Sequence, residues 1–167
     1  MAKPRRAQLR GFVVKVNCRT KPMRLQFATT AQTHRDTMYE AVTRAIRVRV
    51  TPAYIEERST PSEAQFFWAY TVDIVNESSE PVQLRSRYWR ITDGSGHSEE
   101  VRGPGVVGQT PVIAPGESFT YTSGCPLHTP SGIMLGSYQM ASAAGTLFDI
   151  KIPAFSLDSP HAIRSVN

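Results

Sequence analysis

Apolar and polar residues alternate with period two along most of the chain beyond residue 44. In RAIRVRV, Ile46, Val48 and Val50 fall on one face and Arg47 and Arg49 on the other. That is the pattern of a half-buried strand. QFFWAYTVDIV repeats it, with Phe66, Trp68, Tyr70, Val72 and Ile74 on one side and Thr71 and Asp73 facing away. Aromatic side chains bury the most area, so this segment is expected at the centre of the core. In PVQLRSRYWRIT, Val82 and Leu84 start inward and Trp89 and Ile91 resume at the opposite parity. The slip predicts a β-bulge between them.

Further strands follow. DGSG at 93–96 is a hairpin signal, and HSEEVRG after it reads as a short polar strand. Beyond the Pro115-Gly116 turn, Phe119 and Tyr121 alternate with Ser118, Thr120 and Thr122. IMLGSYQMAS and TLFDIKIPAFSL read as a final hairpin joined at Ala144-Gly145. No amphipathic helix stands out, and MYEAVTR is read as a single helical turn. About seven short strands separated by Pro/Gly turns predict an all-β sandwich of two facing sheets.

Charge changes the picture at one end only. The chain has 167 residues, enough for one domain with a core, and a net charge of +5. Residues 1–37 hold nine Lys/Arg and one acid, Asp36, giving +8, and the other 130 hold ten basic and thirteen acidic side chains, giving −3. The basicity belongs to the leading segment, so nucleic-acid binding is not expected of the body. For the segment three readings stay open: a flexible, solvated arm able to make weak phosphate contacts, an Arg-rich transit peptide, or upstream translation with Met38 as the true start. The expected organisation is a basic extension over 1–37, a domain over 38–162 and a tail over 163–167.

No apolar run approaches the roughly 18–20 residues of a membrane helix, and GFVVKV, broken by Lys15, is too short for a signal-peptide core. The two cysteines are Cys18 in the arm and Cys125 in the body, so the body holds no pair to oxidise. A reducing, cytoplasmic home is expected.

GPGVVGQTP, at 103–111, contains Gly103, Gly105 and Gly108 at the spacing G-x-G-x-x-G. A dinucleotide fingerprint needs a strand, a tight turn and then a helix whose N-terminus carries the phosphate. Here Pro111 and Pro115 forbid the helix and the flanking segments are strands, so that reading is rejected. Three alternatives remain: a loop shaped by glycine's tolerance of positive φ, an anion-binding nest of backbone amides, or a loop that docks on a protein.

The stretch G-x-G-x-V-G-x-x-P, filled by Gly103, Gly105, Val107, Gly108 and Pro111, resembles the signature of the ApaG family. The resemblance continues through APGESFTYTSGCPLHTPSGIMLGSYQM at 114–140, RYWRITDGSG, IPAFSL and MYEAVTR, covering residues 38–162. It implies a fibronectin type III-like, immunoglobulin-like sandwich. It also implies a binding module, since ApaG-like domains occur alone in bacteria and fused in eukaryotic F-box proteins and a polymerase-delta-interacting protein. Bacterial members are associated genetically with cobalt resistance and magnesium efflux. The operon shared with a diadenosine tetraphosphate hydrolase implies no hydrolase activity here.

Candidate chemistry is thin. Ser123, Cys125 and His128 are groups a hydrolase could use, and Cys125 with His128 makes a C-x-x-H that falls short of four zinc ligands. Cys125 is expected as a small buried filler. His97, Glu99 and Glu100, with His128, are weak candidates for a divalent cation, against a solvated hairpin face. Arg85 and Arg87 are expected on one strand face, with Arg90 beyond the slip, as a phosphate-reading patch or as plain surface. Trp68 and Trp89 are expected in the core, with Trp89 alternatively a docking anchor. The reading is a non-enzymatic module without cofactor or firm metal site, contacting a protein partner through the 103–111 loop and the neighbouring Tyr121, Ser123, Gly124 and His128. The alternatives are a factor binding pyrophosphate, a nucleotide or a divalent cation, and, for the assembly, a homodimer formed through an edge strand.

Overall fold

The structure, a computed structural model, describes residues 37–162. The expectations for the basic extension, Thr37 aside, and for the tail lie outside the described residues. The described residues form nine strands: β1 (Tyr39–Thr43), β2 (Ile46–Tyr54), β3 (Phe66–Asn76), β4 (Val82–Asp93), β5 (Ser98–Pro104), β6 (Val112–Ile113), β7 (Ser118–Leu127), β8 (Ser131–Ser142) and β9 (Leu147–Asp158). They form two antiparallel sheets. One has the order β1-β2-β3-β7; the other has the order β5-β4-β8-β9, with β6 also pairing β4.

The sandwich is the expected one, and its inner faces are those the alternation predicts. Ile46, Val48 and Val50 of β2 and Phe66, Trp68, Tyr70, Val72 and Ile74 of β3 are all buried. Trp89 of β4 joins them from the opposite sheet, with its ring centroid 5.4 Å from that of Tyr70 and 5.9 Å from that of Phe155. The edge-to-face geometry adds to the area burial that holds the sheets together.

The two strands beyond the expected seven are β1 and β6. MYEAVTR is extended, not helical. Its burial alternates residue by residue, and it pairs with β2 through a tight turn at Arg44 and Ala45, both at positive φ (50° and 57°). Consecutive positive φ values match the twist of a two-residue hairpin, though neither residue is the usual Gly or Asn. Two 3-10 turns, Glu56–Arg58 and Pro61–Glu63, lie between β2 and β3.

The predicted bulge falls between Leu84 and Ser86 in the β4–β8 register, which leaves Arg85 as the extra residue. It lies opposite the place where the neighbouring edge strand breaks between β5 and β6. The interruption is the GPGVVGQTP loop.

Candidate functional site

The loop is a small hairpin anchored to the bulge. Gly105 N–H donates to the Arg85 carbonyl at 2.9 Å, and Val106 and Gln109 exchange both backbone hydrogen bonds at 2.8 Å. Val107 and Gly108 are left as a two-residue turn with φ of 44° and 78°. Positive φ at both positions defines the type I′ geometry. Gly108 adopts it freely, whereas Val107 is β-branched and strained there. Gly105 is needed for a second reason: a Cβ on it would lie 2.1 Å from the Gln109 carbonyl oxygen. The Val106 side chain is fully buried in the core and pins the hairpin from below. Gly108, Gln109 and Thr110 stand exposed and Pro111 is half-buried.

Arg87 clamps the loop from beneath. Its Nη1 donates to the carbonyls of Pro104 (3.0 Å) and Gly105 (2.8 Å). Gly103, its register partner on β5, has no side chain to obstruct it; a Cβ there would come within 3.2 Å of Nη1. The expectation that Arg85 and Arg87 share a face is therefore corrected. The bulge at Arg85 reverses parity, so Arg87 turns inward with Trp89 while Arg85 stays outside. Counting back by twos from the inward Trp89 would have found this.

Beyond Arg87 lies a cluster of phenols. Tyr121 and Tyr138 share a hydrogen bond between their hydroxyls, and Tyr70 meets the Ser123 hydroxyl. Burial pushes all three phenols upward, against a smaller opposing effect of the Arg87 charge. They stay neutral at any physiological pH.

The neighbouring candidate residues do not form one surface. Tyr121 is buried, and Ser123 faces inward beside Tyr70. Gly124 faces outward beneath the Phe67 ring, where a Cβ would lie 2.4 Å from Cζ. His128 is exposed beyond the end of β7, with Nδ1 3.2 Å from the Ala64 carbonyl. Cys125 is 3% exposed, and burial pushes its thiol up to about 12, so it is the inert filler expected. Ser123, Cys125 and His128 thus make no nucleophile–base pair.

The candidate cation ligands are also separated. Glu99 pairs with Ile91 and Glu100 with Arg90, which places the two carboxylates on opposite faces of the sheet. Glu100 accepts from the Tyr88 hydroxyl at 2.9 Å and is flanked by Arg102 (3.4 Å) and Arg90 (3.6 Å). The Tyr88 hydrogen bond leads in holding its pKa down, with Arg102 and Arg90 adding to it against a smaller burial effect. His97 uses its backbone N–H on Asp93 Oδ1 at 3.0 Å. Among the described residues no group of three or more His, Cys, Asp or Glu is placed to hold a metal ion. No described helix is long and apolar enough to cross a membrane.

A two-sheet sandwich carrying a clamped glycine hairpin on one edge strand is the class of domain defined here. Comparison with known proteins then fixes the family. The model of the ApaG domain matches residues 56–142. Protein ApaG of Methylobacterium radiotolerans is 62% identical over 130 residues, spanning 78% of this chain and all of the relative. Protein ApaG of Brucella anthropi is 58% identical over the same length. Among solved structures, a Bordetella pertussis protein described as ApaA is 51% identical, with a TM-score of 0.68 over 70% of this chain and 95% of that one. A structural-genomics target, 41% identical, superposes with a TM-score of 0.67 over 74% and 93%. The chain belongs to the ApaG family.

Proposed function

We propose that the domain is a non-catalytic binding module that presents the 103–111 hairpin to a protein partner. The observation that carries this is Val107, a β-branched residue held at φ 44°. Strain of this kind persists only where the surroundings impose it, and it concentrates at functional sites. Here the buried Val106, the Val106–Gln109 hydrogen bonds and the Arg87 clamp impose it. A tip that is already ordered loses little conformational entropy on docking. The dispersal of Ser123, Cys125 and His128 supports a binding role over a catalytic one.

In this reading, a part in cobalt resistance or magnesium efflux is exercised through the partner and not through a bound ion. One observation favours the alternative of a small anion: the Val107 and Gly108 amides have no backbone partner in the loop. With Thr110 they are three, because Gly105, Val106 and Gln109 spend theirs internally and Pro104 and Pro111 have none.

A photo-crosslinking residue in place of Gln109 tests the proposal in cells. One discrete adduct is expected, weakened by Thr110→Arg and absent when the crosslinker replaces Lys151. Saturable shifts of the Val107 and Gly108 amides with micromolar pyrophosphate, or turnover of a phosphoanhydride, would overturn it.

A further inference from the structure

The outer face of the five-stranded sheet carries a groove beside the loop, bordered by Arg87 and Gly103 at the loop's base. In one cross-strand row Ser86, Gln139 and Asp149 are register partners over β4, β8 and β9; in the next, Arg102, Tyr88 and Ser137 are partners over β5, β4 and β8. Between the rows lies a groove of about 350 Å³, at the small end of the roughly 300–1,000 Å³ found for ligand sites. Among the described residues, the side chains of Ser86, Ser137, Gln139 and Asp149 spend no hydrogen bond within the protein. Arg102 is held in place over the Tyr88 ring, 4.3 Å from its centroid.

The surroundings set this face apart. Val112, Ile133, Leu135 and Leu147 are four of the six large apolar side chains exposed among the described residues. Their register partners Gln83, Thr92, Arg90 and Ala141 place all four on this face. Val112 and Leu147 lie on one side of the groove, and Ile133 and Leu135 on the other. The trench itself is polar, and the apolar side chains flank it, so polar contacts would have to set what it binds.

We propose that this groove binds a neutral ligand bearing vicinal hydroxyls, in the form of a sugar ring or a disaccharide. A hydroxyl both donates and accepts. Ser86, Ser137 and Gln139 do the same, while Asp149 only accepts and Arg102 only donates. Adjacent hydroxyls can therefore be met from both sides. The Asp149 carboxylate opposes a phosphate and the Arg102 guanidinium opposes a cation, while Arg87, the other charge in the lining, spends its Nη1 on the Pro104 and Gly105 carbonyls; a neutral ligand is therefore favoured over either. The C–H surfaces of the ring rest against Tyr88 and the apolar shoulders. Vicinal hydroxyls occur on free sugars and on the ribose of a nucleoside, and the test separates the two sources.

The full chain, labelled with 15N, is titrated with maltose, cellobiose, chitobiose, adenosine and pyrophosphate, each to tens of millimolar. Saturable shifts confined to amides near Ser86, Ser137 and Asp149 are expected with at least one of the first four. Adenosine alone would assign the ribose as the source, and a disaccharide would assign a glycan. Asp149→Asn should weaken binding at least several-fold, and Ser137→Trp, which fills the groove from the solvent side, should abolish it with Tm unchanged. Absence of shifts there from all four, shifts at the same amides from pyrophosphate, or wild-type affinity in Asp149→Asn would overturn the proposal.

Discussion

Arg87 follows the β4 bulge by two residues, Gly105 gives its amide to the bulge residue's carbonyl, and the two are joined by a 2.8 Å hydrogen bond from the guanidinium to the Gly105 carbonyl. The same Nη1 also holds Pro104. One half-buried side chain therefore fixes the point where β5 leaves the sheet and the hairpin begins. Hydrogen bonds from charged donors contribute about 1.5–3 kcal/mol each when the partner would otherwise be left unsatisfied. Arg87→Met should lower stability by about 2 kcal/mol in urea unfolding. It should also speed hydrogen exchange at the Val106 and Gln109 amides more than at Val72 in the core. Arg87→Lys should recover only part of both, because an ammonium lacks the planar fork. Equal exchange at all three amides in Arg87→Met would show that the guanidinium does not clamp the loop.

The two glycines at the hairpin should respond differently to substitution. Gly105→Val introduces a Cβ into the Gln109 carbonyl, 2.1 Å away, at a backbone φ of 55° that a β-branched residue resists. A cost of about 3 kcal/mol or more is expected from overpacking and αL strain together. Gly108 also has positive φ, but a Cβ there meets nothing within 4 Å. Gly108→Asn, which tolerates αL, should cost less than about 1 kcal/mol. Melting curves of the pair check the contrast, and similar losses for both would place the constraint elsewhere.

How much of this was legible depended on whether a signal was local. The faces of β2 and β3 follow from strict alternation over residues 46–50 and 66–74, because a strand buried on one side has to alternate. The bulge showed as a parity slip between Leu84 and Trp89. Its position did not show, so Arg87 was read on the wrong face. β1 was misread because its hairpin turns on Arg44 and Ala45, which carry no turn signature. The inner hairpin of the loop was hidden for a similar reason, since its turn uses Val107. The groove depends on β4 lying beside β8, some 50 residues away in the chain, a pairing no local pattern reports.

Asn76 is a buried polar residue whose bonds tie three segments together. Its Nδ2 donates to the carbonyls of Glu80 (2.8 Å) and Ile113 (2.9 Å), and its Oδ1 accepts from the Ser78 amide (3.0 Å) and hydroxyl (2.6 Å). It joins the β3–β4 turn to β6, directly after the glycine loop. Asn76→Leu should cost about 3 kcal/mol, because carbonyls already desolvated lose their donors. Asn76→Asp should be comparably harmful, since a carboxylate cannot donate to either carbonyl. Chemical denaturation of both variants tests this, and tolerance of Asn76→Asp would show that the two carbonyls find other donors.

Ala45 offers a gain. It is exposed at φ 57° in the β1–β2 turn, where an L-residue with a Cβ is strained by about 1–2 kcal/mol. Ala45→Gly removes that strain and gives back part of the gain as unfolded-state entropy. A net stabilisation of about 1 kcal/mol is expected, read as a rise in Tm of about 2–4 °C. A fall in Tm would mean that the turn changes its geometry to suit glycine.

The acid limb of stability should be governed by a carboxylate cluster on the outer face of the first sheet. Arg47 and Arg49 lie between Glu40, Glu77 and Asp73 across β1, β2 and β3. Hydrogen bonding from Arg49 leads in holding Glu40 below its ordinary value, and hydrogen bonding from Arg47 does the same for Glu77. A carboxylate depressed on folding contributes stability that is fully present above its unfolded pKa, about 4.3 for glutamate. That contribution is lost as pH falls toward the lower folded value, because the unfolded chain then binds more protons. Stability should therefore be flat from neutral pH to about 5 and decline below it. Arg47→Met removes the partner shared by Glu40 and Glu77 and should make the decline shallower between about pH 5 and 3. Both side chains are solvent-accessible, so added salt should shrink the difference between wild type and variant. Urea midpoints across this pH range, at low and high salt, measure both effects. Parallel acid limbs for the two proteins would show that these glutamates titrate alike in the folded and unfolded chains.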